Sequence, residues 1–126
     1  LIPNKVFGRF SRQQKLLNPS DFKYVFDRPI KVSNAYLSVL ARENGQDFAR
    51  LGLAVPKRQI KTAVTRNKIK RLIRESFRHN QMSLAGLDIV VLVRAGAARV
   101  ANPTFLQDLD QLWDRLKKQC EKSLST

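Results

Sequence analysis

Apolar residues follow two rhythms along this chain, and the changes of rhythm mark its elements. Ile69, Leu72, Ile73 and Phe77 recur at the i, i+3, i+4, i+8 spacing of a helix with one core-facing stripe, which predicts a helix from near Thr62 to around His79–Gln81. The same rhythm returns in Leu106, Leu109, Leu112, Trp113, Leu116 and Cys120, after an Asn102-Pro103 pair that reads as cap and first-turn proline. A shorter helix is predicted from Asn18-Pro19-Ser20-Asp21, with Asn18 as cap and Asp21 complementing the helix dipole. Pro29 ends it soon after Phe26. Phe22, Val25 and Phe26 share one face of this helix, and Tyr24 points elsewhere. Strand character belongs to Tyr36–Arg42, Arg50–Val55 and Asp88–Arg94, with a further strand suggested in Pro29–Ser33. Asn44-Gly45 marks a turn, and Pro56 interrupts strand pairing. Asp88–Arg94 is almost continuously apolar between Gly86 and Gly96, as expected of a strand covered on both faces. The order helix, strands, helix, strand, helix predicts a sheet with helices packed on it, in the α+β class.

The polar side of the central helix changes the picture. Lys57 to Arg78 holds nine of the chain's 24 Lys and Arg residues against one acid, Glu75. At about 100° per residue, Asn67, Lys70, Arg71, Arg74 and Arg78 fall on an arc opposite the apolar stripe. A solvated face usually mixes signs, because acid–base pairs at i, i+4 stabilise it. Here Lys70–Arg74 and Arg74–Arg78 are like-charged pairs at that spacing. Such a face fits a polyanion, and sequence-independent phosphate binding is its simplest use.

Composition agrees. A formal charge of +14 over 126 residues points to nucleic acid or an anionic surface. With 43% hydrophobic residues the chain can bury one core of moderate size. The expected organisation is a basic N-terminal arm over 1–17, a single domain over 18–120 and a frayed tail over 121–126. No apolar run approaches the ~18 residues of a membrane span, and basic residues break up any signal-peptide pattern. One cysteine, Cys120, excludes an internal disulfide and suits a reducing cytosol, so a cytoplasmic location is expected. It continues an apolar stripe and reads as a packed thiol. His79 is the only histidine, which removes any two-histidine acid–base scheme and most His-based metal sites. Asp110 and Asp114 read as a solvated face of the last helix, and no glycine-rich phosphate loop or nucleophile elbow is present. No catalytic residue and no protein-bound metal are expected. Among the aromatics, Trp113 sits in a leucine stripe and reads as core. Phe22, Phe26 and Tyr36 precede the basic helix, where stacking on single-stranded nucleic acid competes with core packing as their role.

One resemblance is specific. Thr65-Arg66-Asn67-Lys68-Ile69-Lys70-Arg71-Leu72-Ile73-Arg74-Glu75-Ser76-Phe77-Arg78 closely resembles the "RNR" signature of the bacterial ribonuclease P protein subunit. The Ser20-Asp21-Phe22-Lys23-Tyr24-Val25-Phe26 segment, the Gly52-Leu53-Ala54-Val55 strand followed by Lys57-Arg58, the Asp88–Gly96 strand and the terminal leucine-rich helix occur in the family's order. The resemblance covers about 15–118. It implies a single-domain α/β sandwich, a four-stranded sheet packed with helices in the order αβββαβα, with a left-handed crossover through the basic helix. It also implies a role as subunit of an endoribonuclease that removes the 5′ leader of precursor tRNA. In that family the RNA subunit carries the catalytic Mg2+ ions, and the partners are that RNA and the single-stranded leader, with no membrane and no further protein required. Carried over by position, Lys57, Arg58, Lys61, Arg66, Asn67, Lys68, Lys70, Arg71, Arg74 and Arg78 are the expected contacts to the catalytic RNA. Phe22, Phe26 and Tyr36 are expected to line a leader cleft. Two positions depart from the family pattern: Lys68 stands where arginine is usual, losing bidentate geometry, and Pro56 where a small residue is usual.

Three rivals remain at this level. A ribosomal or RNA-chaperone protein shares the charge and class but gives no reason for the ordered motifs. A DNA-binding regulator expects a helix-turn-helix partner before the basic helix, where a proline-terminated strand stands instead. A membrane-surface helix expects a broader apolar stripe.

Overall fold

The structure, a computed structural model, describes Lys15 and residues 18–125, with side-chain surroundings as far as residue 122. The expected basic arm therefore lies outside the described residues apart from Lys15, which forms an isolated parallel bridge with Leu51. The elements are α1 (Pro19–Phe26), β1 (Ile30–Ser33), β2 (Leu37–Glu43), β3 (Arg50–Ala54), α2 (Ala63–Asn80), β4 (Leu87–Val93), a 3-10 turn (Ala95–Arg99) and α3 (Asn102–Ser125). This is the αβββαβα order. The suggested strand before Ser33 forms as β1. α3 continues through 121–125, most of the stretch expected as a frayed tail.

The four strands lie in the order β1-β2-β4-β3. β1 and β4 pair antiparallel with β2, while β3 runs parallel to β4, with Leu51 opposite Ile89 and Leu53 opposite Val91. Asn44-Gly45 does turn the chain, with Gly45 at φ 71, where a side chain would be strained. The strands on either side of that turn are not neighbours, because β4 inserts between them.

Strand alternation divides the sheet into two faces. On one, Leu37, Val39, Ala41, Ile89, Val91 and Val93 form the main core with α2 and α3, and Trp113, Phe77 and Phe105 are its largest buried side chains. Phe77 and Trp113 meet edge-on at 6.4 Å between ring centroids. On the other face, Leu40 and Val90 receive Val25 of α1, with Phe22 and Leu92 packed at the margin. α1 thus covers only part of its face.

Caps differ in part from the sequence reading. Thr62 Oγ1 accepts from the Thr65 amide at 3.3 Å and starts α2. Asn18 makes no side-chain cap; Pro19 and the Asn18 carbonyl, which accepts from the Asp21 amide at 3.0 Å, start α1 instead. Asn102 does not cap either: its Oδ1 is buried without a hydrogen-bond partner, and the Ala101 carbonyl accepts the Phe105 amide at 2.9 Å. After α1, Arg28 takes φ 60, a left-handed backbone imposed where the chain must reverse ahead of Pro29 into β1.

Candidate nucleic-acid interface

The outward face of α2 follows from its inward one. Ile69, Leu72, Ile73 and Phe77 are buried, and burying each contributes about 2 kcal/mol. Ser76 is buried with them, its Oγ accepting from Trp113 Nε1 at 2.8 Å. A serine within an apolar stripe opposite a core tryptophan was the available signal for this contact. With that face fixed, Asn67, Arg71 and Arg74 are exposed and Lys70 half-buried on the far side. Lys57, Arg58 and Lys61 are exposed on the approach to α2, where Pro56 opens a turn by accepting the Gln59 and Ile60 amides. Gln59 Oε1 accepts from the Ala95 amide at 2.9 Å and ties this approach to the 3-10 turn.

The cations predicted from sequence divide into two groups. Lys57, Arg58, Lys61, Lys68, Lys70, Arg71 and Arg74 have no hydrogen-bond or ion-pair partner among the described residues. Arg66 and Arg78 are engaged. Arg66 donates from Nη1 to the carbonyls of Ile60 (2.9 Å) and Lys61 (3.0 Å), bracing the loop that carries Lys57 and Arg58. Arg78 donates to Glu75, which His79 Nε2 also approaches at 3.2 Å. Arg78 holds the Glu75 carboxyl below its ordinary range, so the one acid of α2 is neutralised inside the helix. Acids gather elsewhere: Glu75, Asp110 and Asp114 line a groove between α2 and α3. Asp114 pairs with Lys117 at 3.3 Å there, while Asp110 lies 3.4 Å from both Ser76 and Asn80.

A second feature lies on the other face of the sheet. Val25 points at Leu40 and Val90, so at about 100° per residue Tyr24 falls on one flank of α1 and Phe22 and Phe26 on the opposite flank. The Phe22 and Phe26 rings lie 6.5 Å apart, and Phe26 is 45% exposed. Alternation puts Ser38, Leu92 and Ala54 on this face at the end of the sheet away from Arg42, Asp88 and Arg50. Arg94 crosses that end, donating to Ser38 Oγ and approaching the Asn34 carbonyl at 3.4 Å. Phe22 and Phe26 thus lie on the flank of α1 that faces this end of the sheet.

Tyr36 makes its ring contact on the α3 side. Its ring packs on Phe105 of α3 at 5.8 Å, and its hydroxyl donates to Asp108. Burial first, and then Asp108, push that phenol well above its ordinary range, so it remains a donor. The Asp108 partnership is a long-range contact that no local pattern announces. Cys120 is buried in the core, and desolvation raises its thiol above the usual range. Among the described residues no group of three or more His, Cys, Asp or Glu side chains is arranged to hold a metal ion, and no helix is long and apolar enough to cross a membrane.

Comparison with known proteins matches this geometry. Residues 10–117 fit the family model "Ribonuclease P". The chain is 53% identical over 110 residues to the ribonuclease P protein component of Pseudomonas putida strain GB-1, covering 86% of this chain and 82% of that one. It is 50% identical over 109 residues to the Aliivibrio fischeri component, covering 86% and 93%. Among solved structures, a Staphylococcus aureus RNase P protein mutant with defective mRNA degradation activity superposes with a TM-score of 0.79 at 29% identity, over 84% of this chain and 90% of that one. The Thermotoga maritima RNase P protein gives 0.69 at 35% identity, over 82% and 96%. The order of elements, the mixed four-stranded sheet and the sequence identity agree, and the chain belongs to the ribonuclease P protein family, the protein component of the bacterial enzyme.

Proposed function

We propose that this subunit promotes tRNA 5′ maturation by holding two polyanions in register. The outer face of α2 and its approach bind the catalytic RNA, and the groove beside α1 binds the single-stranded 5′ leader of precursor tRNA. The observation that carries the reading is the set of partnerless cations, Lys57, Arg58, Lys61, Lys70, Arg71 and Arg74, on one continuous stretch of chain. Side chains without intramolecular partners lose no ion pair on meeting phosphate, and each contact releases counterions. Phe22 and Phe26 supply stacking surface for unpaired bases, which tolerates any sequence. Tyr36, immediately before β2 at the Ser38 end of the sheet, lines the same groove in this reading, with its hydroxyl held by Asp108. In this reading Mg2+ belongs to the RNA, and the protein contributes no group to bond cleavage.

The test is cleavage of a precursor tRNA by a bacterial ribonuclease P RNA at low millimolar magnesium, with and without this protein. Correct 5′ ends appearing only with the protein support the reading. A groove covering about five leader phosphates adds a leader-dependent salt slope of roughly −3 to −4. Affinity independent of leader length would remove the leader from the groove. RNA binding without cleavage at the mature 5′ end would return the ribosomal or chaperone reading.

A further inference from the structure

α1 has eight residues, too few for a stable isolated helix, and only Val25 of it is buried. Its orientation must come from contacts with the sheet, and the polar ones all lie on one flank. Arg42 of β2 brings Nη1 to the Tyr24 carbonyl (3.1 Å), which otherwise has only a 3.3 Å bond from the Asp27 amide, and to the Asp27 carbonyl (2.8 Å) just beyond the end of α1. Its guanidinium lies 4.0 Å from the Tyr24 ring centroid and 3.6 Å from the Asp27 carboxylate. Tyr24 Oη closes the arrangement by donating to the Glu43 carbonyl at 2.7 Å. At the other end, Asp21 lies 3.9 Å from Arg50, which Asp88 holds through two bonds of 2.7 and 2.6 Å. Among the described residues no hydrogen bond or ion pair ties the Phe22–Phe26 flank to the sheet.

We infer that Arg42 is a positioning residue for the leader groove: by fastening the Tyr24 flank of α1 it sets the height of the Phe22 and Phe26 rings above Ser38 and Leu92. This rests on the leader reading above. Arg42 sits on the far side of α1 from the groove and touches neither aromatic ring, so it acts through the helix. A slot that stacks bases is sensitive to its width, and a helix held along one flank pivots about that flank when the fastening is lost.

The experiment uses holoenzyme reconstituted from the full chain and a bacterial ribonuclease P RNA. Its affinity is measured for precursor tRNA with a five-nucleotide leader and with a one-nucleotide leader. Arg42→Met is expected to weaken the long-leader complex at least about fivefold, as for one lost stacked base, and the short-leader complex less than about twofold. Arg42→Lys, which keeps the charge and a donor, restores part of the loss. Phe26→Ala reports on the groove itself. If Phe26→Ala loses leader-dependent affinity and Arg42→Met does not, the positioning role is wrong and the groove stands. Equal losses with both leaders would reduce Arg42 to a structural residue. If Phe26→Ala shows no leader dependence, the groove reading fails and this inference with it. Should Arg42→Met not fold, Arg42→Gln, which keeps one donor but loses the charge and the second bond, carries the same expectation.

Discussion

The sharpest test of the α2 surface compares two arginines eight residues apart. Arg74 is exposed without a partner among the described residues, whereas Arg66 donates to the carbonyls of Ile60 and Lys61. Removing one phosphate contact changes the slope of log K against log salt by about 0.9 on a B-form duplex, and a helical RNA of similar charge density sets the same scale. If that contact contributes nothing near 1 M, its loss costs about eightfold in affinity at 0.1 M monovalent salt and about twofold at 0.4 M. Arg74→Gln is therefore expected to weaken binding to the catalytic RNA by those factors. Stability in urea should change by no more than ~0.5 kcal/mol, since no folded-state bond is lost. Arg66→Gln is expected to lose about 1–3 kcal/mol of stability as well, because charge-assisted bonds to two carbonyls disappear. The assay is a binding titration between 0.1 and 0.4 M potassium at fixed magnesium, paired with urea melts of the free protein. An Arg74→Gln protein that binds more weakly with an unchanged salt slope would refute the counterion argument. Equal stability losses in both variants would refute the division of the arginines.

Three further outcomes follow from the fold. Asp88→Ala removes the buried partner of both Arg50 and Asn44 and should cost about 2–4 kcal/mol in urea unfolding; a loss under 1 kcal/mol would show Arg50 re-pairing with Asp21. Tyr36 has its pKa raised above the ordinary 10.0, so the unfolded chain releases that proton first and stability falls as pH rises beyond about 10. Tyr36→Phe should cost about 1 kcal/mol at neutral pH and flatten this alkaline decline in melting temperature. Arg28→Gly should raise stability by roughly 0.5–1 kcal/mol by relieving the left-handed backbone at φ 60, and a lower melting temperature would place an unrecognised contact on the Arg28 side chain.

The local elements and the partnerless cationic face were legible in the sequence because both depend on residues a few positions apart. Ile69, Leu72, Ile73 and Phe77 define the inward side of α2 by periodicity alone, and Arg71 and Arg74 must then face outward. The short α1 and the apolar β4 obey the same short-range rules, whereas the side-chain caps expected at Asn18 and Asn102 do not form. Tertiary structure decided what depends on partners far along the chain. β4 slipped between β2 and β3, so the Asn44-Gly45 turn joins strands that do not pair. Tyr36 was tied to Asp108, 72 residues along the chain, whereas Arg78 pairs with Glu75 only three residues before it and Arg66 with the carbonyls of the loop just ahead of α2. Arg42 meets the end of α1 although it lies 18 residues from Tyr24 and 15 from Asp27 in sequence. Spacing within one element fixes which way a side chain points, but a charged group's final partner is set by which backbone carbonyls and carboxylates the assembled sheet leaves within about 3 Å.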